Sequence, residues 1–175
     1  LALPGYDWPN LCCDFIESEM DLTFNPVTTQ IESHDYMSRL FGAMAEFSGI
    51  LLDFVRDIWL YICLRYFGQK PVDGEVGSST MPHKVNPISF ENAEGNLIVA
   101  ISLLRCLADS LVVSRMQRDL SDSTKQRHIG EAFGCFLKAI LETIKGLSRV
   151  TINEQVLADD LQSNWEVLAE PIQQV

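Results

Sequence analysis

The feature that most constrains the fold of this chain is a regular spacing of large apolar residues between positions 34 and 67. Successive members lie alternately four and three positions apart, the pattern of a helix that packs against other helices. The members of this seam are Leu40, Met44, Phe47, Leu51, Phe54, Ile58 and Tyr61. Ser33 is placed to cap the helix, and Gly68 to end it before Pro71. At 1.5 Å per residue the helix would be about 50 Å long, which predicts an extended bundle.

Two further long helices are predicted downstream. One begins at Pro87 with Asn86 as its cap, and the other begins near Asp122 or Ser123. The apolar face of the earlier helix contains Leu97, Ile101, Leu104, Ala108 and Leu111. The apolar face of the later helix contains Ile129, Phe133, Phe136, Ile140 and Leu147. Patterns typical of strands are nearly absent, so the predicted fold class is all-α, a long-helix bundle.

The long-helix pattern stops near residue 150, which suggests a boundary. Residues 1–150 are predicted to be part of a central helical bundle, and residues 151–175 the beginning of a smaller helical C-terminal domain. Shorter helices are expected over residues 9–20 and 154–163, the latter capped by Asn153. Neither end of the sequence carries a clear stop signal, so the chain is expected to be a piece of a larger protein.

The charge balance restricts the partners. Thirteen basic and twenty-four acidic residues give a net charge of −11, which argues against a nucleic-acid partner. The most apolar run, residues 47–67, carries too many charges for a membrane span. We therefore expect a soluble cytoplasmic protein. A local basic cluster formed by Arg115, Arg118, Lys125 and Arg127 still allows a small anionic ligand.

The cysteines and histidines do not suggest a metal site. Five cysteines without CxxC spacing read as reduced thiols among apolar residues, and the three histidines are far apart in sequence. No metal is predicted.

Residues 74–87 form a polar segment rich in glycine, serine and proline that precedes a predicted helix. Glycine lets backbone N–H groups approach an anion closely, and Lys84 and Asn86 lie just before the helix start, where negative charge is favoured. Composition alone is equally compatible with an exposed linker. The order of the residues is more specific than their composition.

Residues 77–87 read GSSTMPHKVNP, which matches the signature GSSxMPxKxNP of the fumarase/aspartase superfamily at every specified position. This resemblance implies elimination of fumarate from a substituted succinate. Removal of a proton next to a carboxylate builds up a second negative charge there, which preformed donors must stabilise. The resemblance implies no metal and no organic cofactor.

The resemblance also implies roles for individual residues. Ser78 would be the general base, activated by loop closure next to Lys84, and Glu91 would support a catalytic histidine. Glu91 also fits an ordinary acidic residue in the first turn of a helix. The substrate contacts implied in and after the loop are Ser79, Lys84, Val85, Asn86 and Asn92.

Two other segments resemble the adenylosuccinate lyase family within this superfamily. Residues 114–127, SRMQRDLSDSTKQR, are similar to its phosphate-binding segment, and residues 25–32, NPVTTQIE, to a stretch whose glutamine contacts substrate. The candidates are Gln30, Arg118, Ser123, Thr124 and Arg127. Residues 164–173, NWEVLAEPIQ, match the bacterial-type branch. The implied partners are anionic substrates that carry two carboxylates and a phosphate: adenylosuccinate and the succinyl-aminoimidazole-carboxamide ribotide of purine synthesis.

The chain departs from the family in one respect. The family's general-acid histidine lies in an upstream Thr-His-Gly-Gln-like stretch that is absent here, as is an N-terminal domain. His34, His83 and His128 do not lie in such a context. The family builds each active site from three subunits of a homotetramer, so this chain alone is expected to be inactive.

Two alternatives stay open. The chain could belong to another fumarate-releasing lyase of the superfamily, or to a non-catalytic assembly relative. The presence of Ser78, Lys84 and Arg118 argues against the second alternative.

Overall fold

A computed structural model describes residues 3–70 and 86–174, and helices dominate it. The helices are α1 (Trp8–Asp14), α2 (Asp35–Cys63), α3 (Ile88–Leu111), α4 (Ser121–Gln126), α5 (Ile129–Leu147), α6 (Glu154–Ser163) and α7 (Ala169–Gln173). A π-helical turn, Phe15–Glu19, follows α1, and a 3-10 turn, Trp165–Leu168, precedes α7. Two short strands are β1 (Phe67–Gln69) and β2 (Val150–Ile152). The all-α prediction is confirmed.

The long helices α2, α3 and α5 form an antiparallel bundle with α3 packed against both of the others. The core has two clusters. One, near the start of α2, contains Phe41, Ala45, Ala100, Leu104, Leu107, Ala108, Leu111 and Ala132. The other, near the start of α3, contains Val55, Ile58, Phe90, Ala93, Leu97 and Ala139. All three helices contribute to both clusters, and α3 packs against each of the other two.

The buried face of α2 is not the predicted seam. The buried residues include Phe41, Ala45 and Ser48, whereas Leu40 is 50% exposed and Phe47 is 48% exposed. Of the predicted seam, only Ile58 is buried; Phe54 and Tyr61 are also exposed. Small residues let a neighbouring helix approach closely, and both faces of α2 have apolar residues at helical spacing. Spacing therefore could not identify the packed face.

The predicted face of α5 was also wrong in part. Phe133 and Leu147 are exposed, and the buried positions are Ala132, Ala139, Glu142, Thr143 and Gly146. A Cβ atom added at Gly146 would lie 2.7 Å from Cζ of Phe90. The fully buried Phe90 ring occupies space that only a glycine leaves open, so α5 presents small residues to α3.

The predicted ends of α2 need correction. The N-cap is His34, not Ser33, and His34 has a left-handed backbone with φ 60°. The hydroxyl of Ser33 donates to Oδ1 of Asp35 at 2.7 Å instead. The helix ends at Cys63, before a left-handed Arg65 with φ 64°. Gly68 therefore does not end the helix.

Gly68 lies in β1, which pairs antiparallel with β2 in the register Phe67 to Ile152. The sequence did not predict this sheet, because a three-residue strand is too short to show an alternating pattern. Thr151, the partner of Gly68, would have its Oγ1 2.7 Å from a Cβ at that position. The sheet joins the end of α2 to the segment after α5.

Two of the other predicted helix boundaries lie close to the observed ones. Helix α3 begins at Ile88 with Pro87 as N-cap, one residue later than predicted. The predicted third helix is divided into α4 and α5. The cap of α6 is confirmed, since the Asn153 side chain accepts a hydrogen bond from the backbone of Val156. The change of element near residue 150 is also present, while the division into domains stays a prediction.

A buried carboxylate clamps the start of α3 to α5. Glu142 is 7% exposed, and one of its oxygens accepts a hydrogen bond from Nζ of Lys138 at 2.7 Å. The bond from Lys138, assisted by one from Ser89, holds the pKa of Glu142 below its usual value. Because Ser89 lies in the first turn of α3, the ionised form of Glu142 stabilises the packing of that turn.

We expect Glu142→Gln in the full-length protein to lower the free energy of unfolding at pH 7 by about 1–3 kcal/mol. A carboxyl group with a depressed pKa stabilises the folded state above its unfolded pKa, and that stability is lost as pH falls through the folded pKa. The difference between variant and parent should therefore shrink as pH falls below 4.5, the ordinary pKa of a glutamate. Urea unfolding at pH 7 and at acid pH measures it. The exposed Glu131→Gln on the same helix is the control, and an equal pH-independent effect of both variants would contradict the prediction.

Candidate functional site

The structure describes eight of the twelve predicted site residues. Ser78, Ser79, Lys84 and Val85 lie outside the described residues, as does the rest of the signature loop before Asn86. The eight described residues are Gln30, Asn86, Glu91, Asn92, Arg118, Ser123, Thr124 and Arg127. They form two groups, one at each end of α3.

The first group is at the start of α3, where the signature loop joins the bundle. Asn86 is half-buried, Pro87 is buried, and the carbonyl of Asn86 accepts a hydrogen bond from the backbone of Ile88 at 2.9 Å. Glu91 and Asn92 follow in the first turns of the helix and are exposed. The sequence therefore presents an amide, a carboxylate and a second amide at one end of the bundle.

Helix α2 holds Glu91 in place. The indole Nε1 of Trp59 donates to Oε1 of Glu91 at 3.1 Å. One turn along the same interface, Arg56 and Glu94 form an ion pair with Nε to Oε1 at 2.8 Å. Two contacts from α2 thus position the acidic residues of α3, which suits Glu91 for orienting another side chain.

The second group lies at the opposite end of the bundle. There Gln30 lies in a turn closed by two threonines, because the hydroxyls of Thr28 and Thr29 both donate to the carbonyl of Ile31, at 2.7 Å and 2.9 Å. The side chain of Gln30 is exposed. The turn therefore has its own hydrogen bonds and leaves the amide of Gln30 for an external partner.

Asp119 organises the segment around Arg118. Its Oδ1 accepts from the backbone of Ser121 at 2.8 Å and from the Ser121 hydroxyl. Its Oδ2 accepts from the backbone of Arg115 at 3.1 Å and lies 3.4 Å from Nε of Arg115. The Ser121 hydroxyl, followed by the backbone donors of Arg115 and Ser121, holds the pKa of Asp119 well below its usual range. The carboxylate is thus ionised and closes the turn that carries Arg118.

Two consecutive residues in this turn have a left-handed backbone, Met116 with φ 49° and Gln117 with φ 71°. Such a conformation costs about 1–3 kcal/mol for a residue other than glycine, and the Asp119 bonds offset part of that cost. The turn leaves Arg118 exposed, where its guanidinium is accessible to an anion.

The start of α4 offers few free backbone N–H groups to an anion. The backbone of Ser123 already donates to Oδ1 of Asp122 at 2.7 Å, and that of Ser121 donates to Asp119. Asp119 and Asp122 therefore occupy both donors. The Ser123 hydroxyl donates to the carbonyl of Leu120 at 2.9 Å. Anion binding in this segment would instead depend on side chains, chiefly the exposed Arg118 and Arg127.

Lys125 does not join the arginines as a ligand group. Its Nζ donates to the carbonyl of Ser110 at 2.6 Å, in the last turn of α3. A cation there is favoured by the helix dipole and satisfies a terminal carbonyl. This bond ties α4 to the end of α3, and it therefore fixes the position of Ser123 and Arg127 along the axis of the bundle.

His34 connects the Gln30 segment to the segment of residues 114–127. Its Nδ1 lies 2.6 Å from Oε2 of Glu32, and its Nε2 lies 3.7 Å from Oδ2 of Asp122. The same Nε2 lies 3.3 Å from Nε2 of Gln126. A concave surface lined by Thr29, Glu32, His34, Gln117 and Asp122, among others, separates the two segments. The structure thus brings together two segments that are about ninety positions apart in the chain.

The two groups are far from each other. Helix α3 has 24 residues, which corresponds to a length of about 36 Å. Asn86, Glu91 and Asn92 lie at its start, and the segments containing Gln30 and Arg118 lie near its end. One small substrate cannot contact both groups of a single chain.

Sequence reasoning missed the residues that organise these groups. Trp59, Asp119, Glu32 and His34 have no catalytic signature of their own. One signal was available: an aspartate two residues before a serine favours a local side-chain to backbone turn, as Asp119 and Ser121 show.

Other kinds of site have little support in the described part of the chain. Within residues 3–70 and 86–174, no three His, Cys, Asp or Glu side chains lie close enough together to hold a metal ion. The five cysteines are all unpaired thiols. No helix in these ranges is long and apolar enough to cross a membrane.

Comparisons with known proteins cover the whole chain. A family model described as Lyase matches residues 10–101, and one described as Adenylosuccinate lyase C-terminal matches residues 114–175. Among curated proteins, the adenylosuccinate lyases of Escherichia coli K12 and Vibrio cholerae are 53% and 51% identical over 174 residues. The Haemophilus influenzae enzyme is 49% identical. Each match covers 99% of this chain and 38% of the relative, so the chain spans well under half of their length.

Proposed function

Because this chain belongs to the lyase family, we propose that the whole protein is a carbon–nitrogen lyase that releases fumarate from adenylosuccinate and leaves AMP. We extend the proposal to the succinyl-aminoimidazole-carboxamide ribotide, which carries the same succinyl group and a phosphate. The observation that supports it best is the identity of about half of all positions to bacterial adenylosuccinate lyases along the whole chain. The match spans 99% of the chain, so it covers both ends of the bundle, where the two predicted groups lie.

In the proposed reaction, the signature loop and the first group carry out the elimination, and the second group binds the rest of the substrate. Ser78 removes a proton from the succinyl carbon next to a carboxylate, while Lys84 and Asn86 hold the charge that develops there. The carbon–nitrogen bond then breaks, the electron pair goes to the nitrogen, and an acid from outside this chain protonates it. Ser79, Val85 and Asn92 contact the substrate, and Glu91 orients the acid. No metal is needed, because fixed positive charge stabilises the carbanion.

The second group would hold the rest of the substrate. Exposed Arg118 and Arg127 provide two guanidinium groups suited to a phosphate. Ser123 and Thr124 lie between them in α4, and Gln30 lies between Thr29 and Ile31, which line the concave surface. The net charge of −11 makes such a local cluster the part of the protein best suited to bind an anion.

The test is to offer adenylosuccinate and argininosuccinate separately to the full-length protein and to follow fumarate by absorbance. We expect release from adenylosuccinate alone. Release from argininosuccinate alone would favour another lyase of the superfamily. Release from neither substrate would support a non-catalytic assembly role.

We further propose that the active protein is a homotetramer whose sites combine the two groups from different subunits. The position of the two groups at opposite ends of α3, a helix about 36 Å long, supports this, since the groups of one chain cannot share a substrate. Exposed apolar residues also support it: Leu40, Phe47, Ile50, Phe54 and Tyr61 on α2, and Leu137, Leu141 and Ile144 on α5. Apolar stripes of this size are usually buried against another protein surface.

We assign the activity to the cytoplasm, where unpaired cysteines remain reduced.

We expect Ile50→Lys in the full-length protein to weaken subunit association at least tenfold. Ile50 is 65% exposed on α2, within the stripe that also contains Phe47 and Phe54, and a buried unpaired ammonium in an apolar interface is costly. Light scattering over a dilution series measures the change. Asp53→Lys, one turn away at an exposed polar position, is the control. Equal mass and equal dilution behaviour of both variants would contradict the proposed interface.

A further inference from the structure

His34 is the one histidine in the described residues whose side chain is largely buried, and the proposed reaction does not use it. Its side chain is 13% exposed, against 56% for His128. It lies between Glu32 on its own segment and Asp122 and Gln126 on α4. A buried imidazole between two carboxylates from distant parts of the chain calls for a role of its own.

The backbone of His34 is adapted to this position. It has φ 60°, a left-handed conformation that costs free energy for a residue other than glycine or asparagine. Its own N–H donates to Oε2 of Glu32 at 2.7 Å. The left-handed turn places the His34 ring at the start of α2, facing α4. A serine cap is too short to make this contact with α4.

The two sides of the ring face different segments. Nδ1 lies 2.6 Å from Oε2 of Glu32 without the alignment of a hydrogen bond. Nε2 faces Asp122 and Gln126. Because the ring nitrogens point in opposite directions, a single rigid side chain spans the gap between the segments.

The partners of His34 are close in sequence to predicted substrate residues. Glu32 follows Gln30 by two positions, Asp122 directly precedes Ser123, and Gln126 directly precedes Arg127. Asp122 also accepts the backbone N–H of Ser123. A shift of the ring would therefore move Gln30 relative to Ser123 and Arg127.

We propose that His34 is a positioning residue that holds the Gln30 turn and the Ser123–Arg127 segment at the separation required by the nucleotide part of the substrate. This inference rests on the proposed function. His34 itself does not touch the reacting atoms, so its loss should weaken substrate binding and leave the chemical step nearly unchanged.

The test uses His34→Asn in the full-length protein. Asparagine tolerates the left-handed backbone and keeps the N–H bond to Glu32, but it is too short to reach Asp122 and Gln126. We expect KM for adenylosuccinate to rise about tenfold, as for loss of interactions shared by ground and transition states, with kcat within about twofold. His128→Asn, at an exposed position next to α5, should change neither value.

Two further measurements separate positioning from stability. Amide hydrogen exchange without substrate should become faster in residues 121–127 of His34→Asn, with α2 and the melting temperature unchanged. Asp122→Asn keeps the oxygen that accepts from Ser123 but loses the charge facing His34. If the two residues act together, His34→Asn with Asp122→Asn should raise KM no more than the more severe single variant.

The outcomes distinguish this inference from the proposed function. If the parent protein releases no fumarate, the proposed function fails, and hydrogen exchange alone decides whether His34 orders residues 121–127. If the parent protein is active and His34→Asn matches His128→Asn in KM and exchange, the inference is overturned. A lower melting temperature with unchanged KM would also overturn it, since it would indicate a purely structural role.

Discussion

Ser78→Ala in the full-length protein is expected to lower kcat for adenylosuccinate by about 10²–10⁴-fold, the range for loss of a general base. The elimination begins with removal of a weakly acidic C–H proton, and alanine has no atom that can accept it. Lys84 and Asn86, the proposed ligands of the succinyl carboxylates, remain in this variant, so KM should change far less than kcat. Steady-state fumarate release, with circular dichroism to check the helical fold, measures the effect.

Ser79→Ala provides the matched control for this variant. It removes the same hydroxyl one position away, from a residue expected to contact substrate without accepting the proton. We therefore expect KM to rise by a few fold and kcat to fall much less than in Ser78→Ala. Near-normal kcat in Ser78→Ala would show that the base assignment is wrong, and a larger loss in Ser79→Ala would exchange the two roles.

Phe90→Ala is expected to lower the free energy of unfolding by about 3–5 kcal/mol, the range for phenylalanine to alanine changes in cores. Phe90 is 0% exposed, packs with Val55, Leu97 and Ala139 in the cluster near the start of α3, and fits against Gly146. Its loss leaves a cavity that rigid helices on both sides cannot close. Because Phe90 follows Asn86 by one helical turn, the variant should also loosen the attachment of the signature loop.

The measurement is urea unfolding of the full-length protein at a fixed subunit concentration, since association adds to stability. Ile88→Ala is the control, because Ile88 lies in the same turn of α3 and is 51% exposed. We expect it to cost less than about 1 kcal/mol. Equal losses from the two variants would mean that the packing around Gly146 does not carry the stability of this end of the bundle.

Local spacing was sufficient to predict which parts of the chain are helical. The repeats of four and three residues located α2, α3 and α5, and the start of α3 was predicted within one residue. Asn153 was identified as a cap because its side chain bonds a backbone only three positions away. These features depend on interactions within about one turn of helix, so they are present in any short window of sequence.

Local spacing was not sufficient to choose the packed faces. Leu40 and Phe41 are neighbours, and the spacing of apolar residues is compatible with either of them on the packed face. Only Phe41 is buried. The choice depends on where a second helix can approach closely, which Ala45 and Gly146 allow. The β1–β2 pair escaped prediction for a similar reason, because each three-residue strand exists only through its partner about eighty positions away.

The candidate site divides in the same way. Sequence motifs predicted functional residues in the signature loop, with Ser78 and Lys84, and in the segment from Arg118 to Arg127. The roles of these residues stay predictions. The contacts around these residues could not be predicted from the sequence. The contact of Trp59 with Glu91 and that of His34 with Asp122 join residues that are distant in the chain. Sequence patterns record interactions between near neighbours, whereas the alignment of distant segments arises only when the helices pack. The tertiary structure alone therefore placed the two predicted groups at opposite ends of α3, a helix about 36 Å long.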